Sequence, residues 1–234
     1  MNRNNQAETP ISINYQDLIK QTAFHEAGHA AAIYLYNKSN SLPPVFFQIT
    51  IKELCNNKIF AEEISSSNTK QFIAKIEGGR LIQTLPGSLI QSGNYFSETE
   101  QQEYQAAYEA DIVNLLVGPL SEAKYIALRD NELFNPLLVN VDALKFYGGA
   151  SDLDSVNDYL DHFLDNNQER EQKLAELFEK AFLFINDQAT WKAIASLANY
   201  ILNNQNETIS CEEAFAVLDK SVTLLTRVIN KPSI

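Results

Sequence analysis

Apolar residues recur along this chain with two different periods, and each change of period marks an element. Residues 15–36 keep a helical spacing, and Ala30-Ala31-Ala32-Ile33-Tyr34-Leu35 is apolar on nearly every side, which predicts a buried helix rather than a surface one. The polar run Asn37-Lys38-Ser39-Asn40-Ser41, ahead of Pro43-Pro44, ends it. Residues 45–52 are β-branched and aromatic with partial alternation and read as a strand. Short strands are expected at 59–64, 72–76 and 80–84, punctuated by Gly78-Gly79 and Pro86-Gly87, and together they make one small sheet. From about residue 98 the helical period returns. Residues 101–128 form one long helix, or two meeting at Gly118-Pro119, and an irregular connection over 130–147 follows. Further helices are expected over 152–164, 169–185, 190–202 and 211–229, the last opened by a capping box of Ser210 with Glu213. The fold class is therefore mainly α with a small β-sheet. Residues 1–13 read as a flexible lead-in, 14–165 as the core unit, and 166–234 as a C-terminal helical part packed on the same domain, completing its core or forming an oligomer face.

Composition narrows the partners. The 234 residues are 45% apolar and 21% charged, an ordinary globular balance. Thirty acidic against eighteen basic residues give a formal charge of −12, which argues against nucleic acid or an anionic membrane surface as the main partner. Cys55 and Cys211 lie far apart and form no Cys-x-x-Cys pair, so reduced thiols are expected rather than a disulfide framework. The first residues lack the apolar core of a signal peptide, and no stretch reaches the roughly 18 apolar residues of a membrane span. A cytoplasmic protein without a membrane span is expected.

The chemistry concentrates in His25-Glu26-Ala27-Gly28-His29, a His-Glu-x-x-His pattern inside the segment read as a buried helix. Histidines four apart project from one face of a helix, where their ring nitrogens can take two corners of a tetrahedral zinc site. Glu26 then points beside the metal, positioned to take a proton from a bound water. Only one other histidine, His162, exists, and it stands in a polar helix. A catalytic zinc needs a third protein ligand. The extended His-x-x-Gly-x-x-His pattern is absent, because Ala32 and Leu35 stand where Gly and His are required. His162, Glu122 after the Gly-Pro break, and Asp152 after Gly148-Gly149-Ala150-Ser151 remain as candidates, although Asp152 alone reads as a helix N-cap or first-turn acid.

Three segments in order resemble the proteolytic domain of FtsH-type zinc metalloproteases. Phe24-His25-Glu26-Ala27-Gly28-His29-Ala30 is similar to that family's active-site helix. Val117-Gly118-Pro119-Leu120-Ser121-Glu122 is similar to its Gly-Gly-Arg-Ala-Ala-Glu helix, with Pro119 and Leu120 replacing Arg and Ala. Gly149-Ala150-Ser151-Asp152-Leu153 is similar to the segment whose aspartate is the third zinc ligand. The resemblance spans about residues 22–159. It implies His25, His29 and Asp152 as zinc ligands, Glu26 as the catalytic residue, Glu122 as a neighbour of the site, and a largely helical peptidase fold acting on unfolded polypeptides. FtsH-type enzymes also carry an ATPase module, but this sequence has no Gly-x-x-x-x-Gly-Lys-Ser/Thr phosphate loop. The expectation is a zinc endopeptidase that works alone, as a homo-oligomer, or beside a separate ATPase. The alternatives are a non-catalytic zinc-binding or regulatory module that keeps the fold, and a structural zinc site, which would need a fourth protein ligand such as His162 or Glu122. Residues 45–52 are also a candidate edge on which a substrate strand could pair, and Tyr95 and Phe96 are candidate substrate contacts.

Overall fold

A computed structural model describes residues 15–51, 74–78 and 97–229. Helix α1 (Tyr15–Ala31) continues through a π-helical stretch, Ala32–Tyr36, into a last turn at Asn37–Ser39. Strands β1 (Phe47–Ile51) and β2 (Ala74–Gly78) follow, then the long helix α2 (Glu98–Arg129), a 3-10 turn (Val141–Phe146) and α3 (Ala150–Phe163). The chain closes with α4 (Asn167–Asn186), α5 (Gln188–Asn203), β3 (Thr208–Ser210) and α6 (Cys211–Ile229). The mainly helical class with a small sheet is therefore present, and every helix expected from the spacing is found.

α1 is the axis of the fold. It packs on α2 along one side and on α5 along another, with β2 close by. Ala23, Ala27, Ala30 and Ala31 are fully buried, and these small side chains let the neighbouring backbones come close. Phe24 stacks on Tyr125 of α2 (ring centroids 4.3 Å) and on Trp191 of α5 (5.5 Å), fastening the three helices together. α3 and α4 also pack on α2, and α6 packs on α5. The C-terminal helices thus share one continuous core with α1 and α2.

Several local details depart from the spacing. α2 starts three residues earlier than expected, because Ser97 and Glu100 form a capping box: Glu100 N–H donates to Ser97 Oγ (3.3 Å) and Ser97 N–H to Glu100 Oε2 (2.7 Å). It does not break at Gly118-Pro119. Pro119 removes one backbone bond, but its flanking turns are buried and hold the helix straight through. Asp152 is not the N-cap of α3; Gly149 is, and Asp152 sits in the first turn.

The sheet order is β2-β1-β3, all antiparallel, with Ile49 opposite Ile76 on one side and Ile209 on the other. β1 is thus the central strand, paired along both sides, and the expected docking edge at 45–52 is corrected. Among the described residues, the edge beside α1 belongs to β2. β3 was not anticipated: three residues with one buried side chain, Ile209, carry no legible alternation. The strand expected at 72–76 overlaps β2 at residues 74–76, whereas those at 59–64 and 80–84, together with Cys55, Tyr95, Phe96 and the lead-in, lie outside the described residues. Among the described residues no helix is long and apolar enough to cross a membrane.

Lys124 on α2 is buried, and burial pulls its pKa down to about 8. Its ammonium donates to the carbonyl of Ile185 (2.7 Å) and to Asn186 Oδ1 (3.0 Å), closing the C-terminal end of α4, and lies over the Trp191 ring. Lys124→Met keeps the apolar stem and leaves those acceptors unmet. Urea unfolding is expected to report a loss of about 1–3 kcal/mol.

Candidate metal centre

His25 and His29 stand one turn apart on α1, their rings 4.8 Å apart and tilted edge to face. Each ring is fixed by its Nδ1 nitrogen. His29 Nδ1 lies 2.7 Å from the backbone carbonyl of Asn114 on α2; a carbonyl only accepts, so this nitrogen carries the proton. His25 Nδ1 donates in the same way to Glu122 Oε2, at 3.1 Å. Both Nε2 atoms are left to face Asp152 on α3: His25 Nε2 is 3.2 Å from Oδ2 and His29 Nε2 is 3.4 Å from Oδ1.

These distances match a metal corner. Two bonds of roughly 2.0–2.1 Å meeting at a tetrahedral angle place their ligand atoms about 3.4 Å apart. One ligand atom from each of His25, His29 and Asp152 falls within 4.8 Å of the others, the one such group among the described residues. Asp152 Oδ2 is also buried without an aligned hydrogen bond, despite the His25 ring facing it. An imidazole lone pair opposite a carboxylate oxygen needs a cation between them, either a proton or a metal. The donor set therefore fits zinc.

The structure brings His25, Glu26, His29 and Asp152 together at one cleft, and Glu122 is a neighbour that orients the His25 ring rather than a member of the cluster. His162 lies elsewhere, its ring against Phe163 beside a shallow hollow with Asp158 and Tyr159. What the spacing did not reveal is the cradle. A Cβ on Gly118 would lie 2.2 Å from His29 Nε2, so the α2 backbone must be bare where that ring passes. Gly148 has φ +75°, and a Cβ there would lie 2.7 Å from Glu122 Oε2 and 3.0 Å from His25 Nδ1. One signal was readable: Asn114, Gly118 and Glu122 recur at helical spacing and share a face of α2.

Glu26 is 6% exposed and lies beside the cluster in a cleft of about 500 Å³. Its Oε2 accepts a hydrogen bond from Ile76 N–H of β2 at 2.8 Å, a partner no sequence motif announces. Burial raises its pKa, although His25, His29 and the Ile76 amide pull the other way. For His25, burial alone would lower the pKa, but the facing Asp152 and Glu122 carboxylates outweigh it and lift the value to about 10. Asp152 shows the converse: burial opposes its charge, and the two histidines still hold it well below the usual carboxylate range.

Comparison with protein-family models, curated proteins and solved structures finds no match to this chain.

Two outcomes follow from this geometry. In Gly118→Ala the added methyl displaces the His29 ring. Zinc affinity, measured by competition with a chromophoric chelator, should fall about 10–100-fold, although Gly to Ala inside a helix ordinarily stabilises by about 0.5–1 kcal/mol. For metal-free protein, the raised His25 pKa contributes stability that is complete below pH 6.5 and is lost as pH rises toward about 10. Thermal unfolding in chelator between pH 6 and 10 should show that decline, and His25→Gln should flatten it.

Proposed function

We propose that this chain is a zinc-dependent endopeptidase, with an FtsH-peptidase-like fold, that hydrolyses flexible or unfolded polypeptides in the cytoplasm. The observation that carries the reading is the convergence of His25 Nε2, His29 Nε2 and the Asp152 carboxylate on one point, with the buried carboxyl of Glu26 beside it in an open cleft.

Bound zinc supplies Lewis-acid polarisation of a water and of the scissile carbonyl. Glu26 takes the proton from the attacking water and delivers it to the departing amine nitrogen, and its burial, which raises its pKa, favours holding that proton in between. Glu122 and the Asn114 carbonyl hold the imidazoles in the tautomer that offers Nε2. Asp152, in the first turn of α3, keeps its negative charge with the help of the helix N-terminus. Among the described residues β2 has no strand on its outer side, and it borders the cleft through Lys75, Ile76 and Gly78, where an extended substrate can lie beside it. Such a site admits unstructured chain only, so the peptidase depends on substrates that are already unfolded, on a separate ATPase that unfolds them, or on assembly with further copies of itself.

Metal analysis of protein purified without chelator should give about one zinc per chain, lost in Asp152→Ala and kept, more weakly bound, in Glu122→Ala. Glu26→Gln should retain zinc and lose hydrolysis of an unfolded protein substrate. No zinc, and none taken up on titration, would overturn the enzyme in favour of a binding or regulatory module that keeps the fold.

A further inference from the structure

Five of the eight large apolar side chains that stand exposed among the described residues fall between 128 and 146, at the end of α2 and in the connection to α3. They are Leu128, Leu133, Leu137, Leu138 and Phe146, with Leu133 84% and Leu137 89% exposed. Leu183 on α4 is a sixth. Phe134 stacks on Phe182 with ring centroids 4.8 Å apart, which brings the backbone of the neighbouring Leu133 and Leu183 to the same corner. The connection has room to bury apolar groups, since it sends Val139 and Leu144 into the core. Its turns are fixed as well. The N–H groups of Leu137 and Leu138 donate to Asn135 Oδ1 at 2.9 and 3.2 Å, and Glu132 N–H returns to the Ala127 carbonyl at 2.7 Å. Surface turns ordinarily carry polar residues at such positions.

Area and charge say what covers this face. Six such side chains offer on the order of 600 Å² of apolar surface, the top of the range for a monomer's largest patch and most of the roughly 800 Å² that each side of a standard interface buries. A chain of charge −12 repels its own copies, and the repulsion is least where charge is sparse. Residues 128–146 hold two basic and three acidic side chains, and Arg129 is paired with Asp130 at 2.7 Å. About one of the twelve net negative charges therefore falls here. We propose that this segment, with Leu183, is a two-fold interface on which a second copy of the chain docks, the same leucines meeting across the axis. An apolar face needs no complementary charge, so it can be its own partner. Neither zinc nor hydrolysis enters the pairing, which stands or falls apart from the peptidase reading.

Sedimentation velocity of the full chain, from about 1 to 100 μM, tests the pairing. Twice the 26.4 kDa of one chain is expected at the upper concentrations, with chelator present as without it. Leu137→Ser combined with Leu138→Ser should weaken the dimer about 100-fold or more, because each copy loses two apolar anchors. The circular dichroism of that variant should match the unsubstituted chain, since both leucines are exposed. Phe46→Ser removes an exposed ring outside the face and should leave the dimer unchanged. A monomer at every concentration overturns the proposal. So does a dimer that the paired serines leave intact, or one that Phe46→Ser weakens equally. If the paired variant does not fold, Leu133→Ser decides in the same terms. A monomer that binds neutral phosphatidylcholine vesicles through these leucines would assign the face to a lipid surface and overturn the pairing. A dimer that holds no zinc and cuts no substrate would remove the peptidase and leave the interface; a zinc-loaded, active monomer would do the reverse.

Discussion

α1 carries two imidazoles and a carboxyl into a protein interior, and each buried polar atom there has to be matched. That requirement shapes what surrounds it. α2 supplies the Asn114 carbonyl and the Glu122 carboxylate to the two Nδ1 atoms, β2 supplies the Ile76 amide to Glu26, and α3 brings Asp152 opposite both Nε2 atoms. The alanines of α1 and the bare backbone at Gly118 and Gly148 are the steric counterpart, since the partners must come within hydrogen-bond distance of a helix enclosed over residues 23–31.

The electrostatics follow from the same enclosure. Without a metal, His25 lies between two carboxylates and holds its proton far above the usual histidine range, while Asp152 holds its charge against burial. A metal bound between them would compete with that proton, so its occupancy would rise as protons are withdrawn. Glu26 is poised differently. It stands beside the competition, and its burial keeps it less acidic than an exposed glutamate.

Much of this was legible in the residues, for identifiable reasons. Helices long enough to repeat their spacing several times were all readable, and His25, Glu26 and His29 declare themselves because four-residue spacing on a helix has one geometric meaning. Asp152 was not readable from local pattern, where a first-turn acid is ordinary; only its likeness to a known segment singled it out. β3 escaped because three residues cannot show an alternation, and the residues alone left one or two helices open at Gly118-Pro119, where the structure has the single one. Backbone donors and acceptors, such as Ile76 N–H and the Asn114 carbonyl, leave no trace in side-chain identity at all.

The His25–Glu122 contact joins residues 97 positions apart, and Asp152 lies further along still. During synthesis the imidazoles therefore emerge first and their partners last. At roughly 5–20 residues per second, seconds pass between the two events. Through that interval α1 has β2 beside it but lacks the α2 and α3 groups that its ring nitrogens meet in the folded chain. The group His25, His29 and Asp152 is complete only once α3 has been made, and α4, α5, β3 and α6 are added to the core after it.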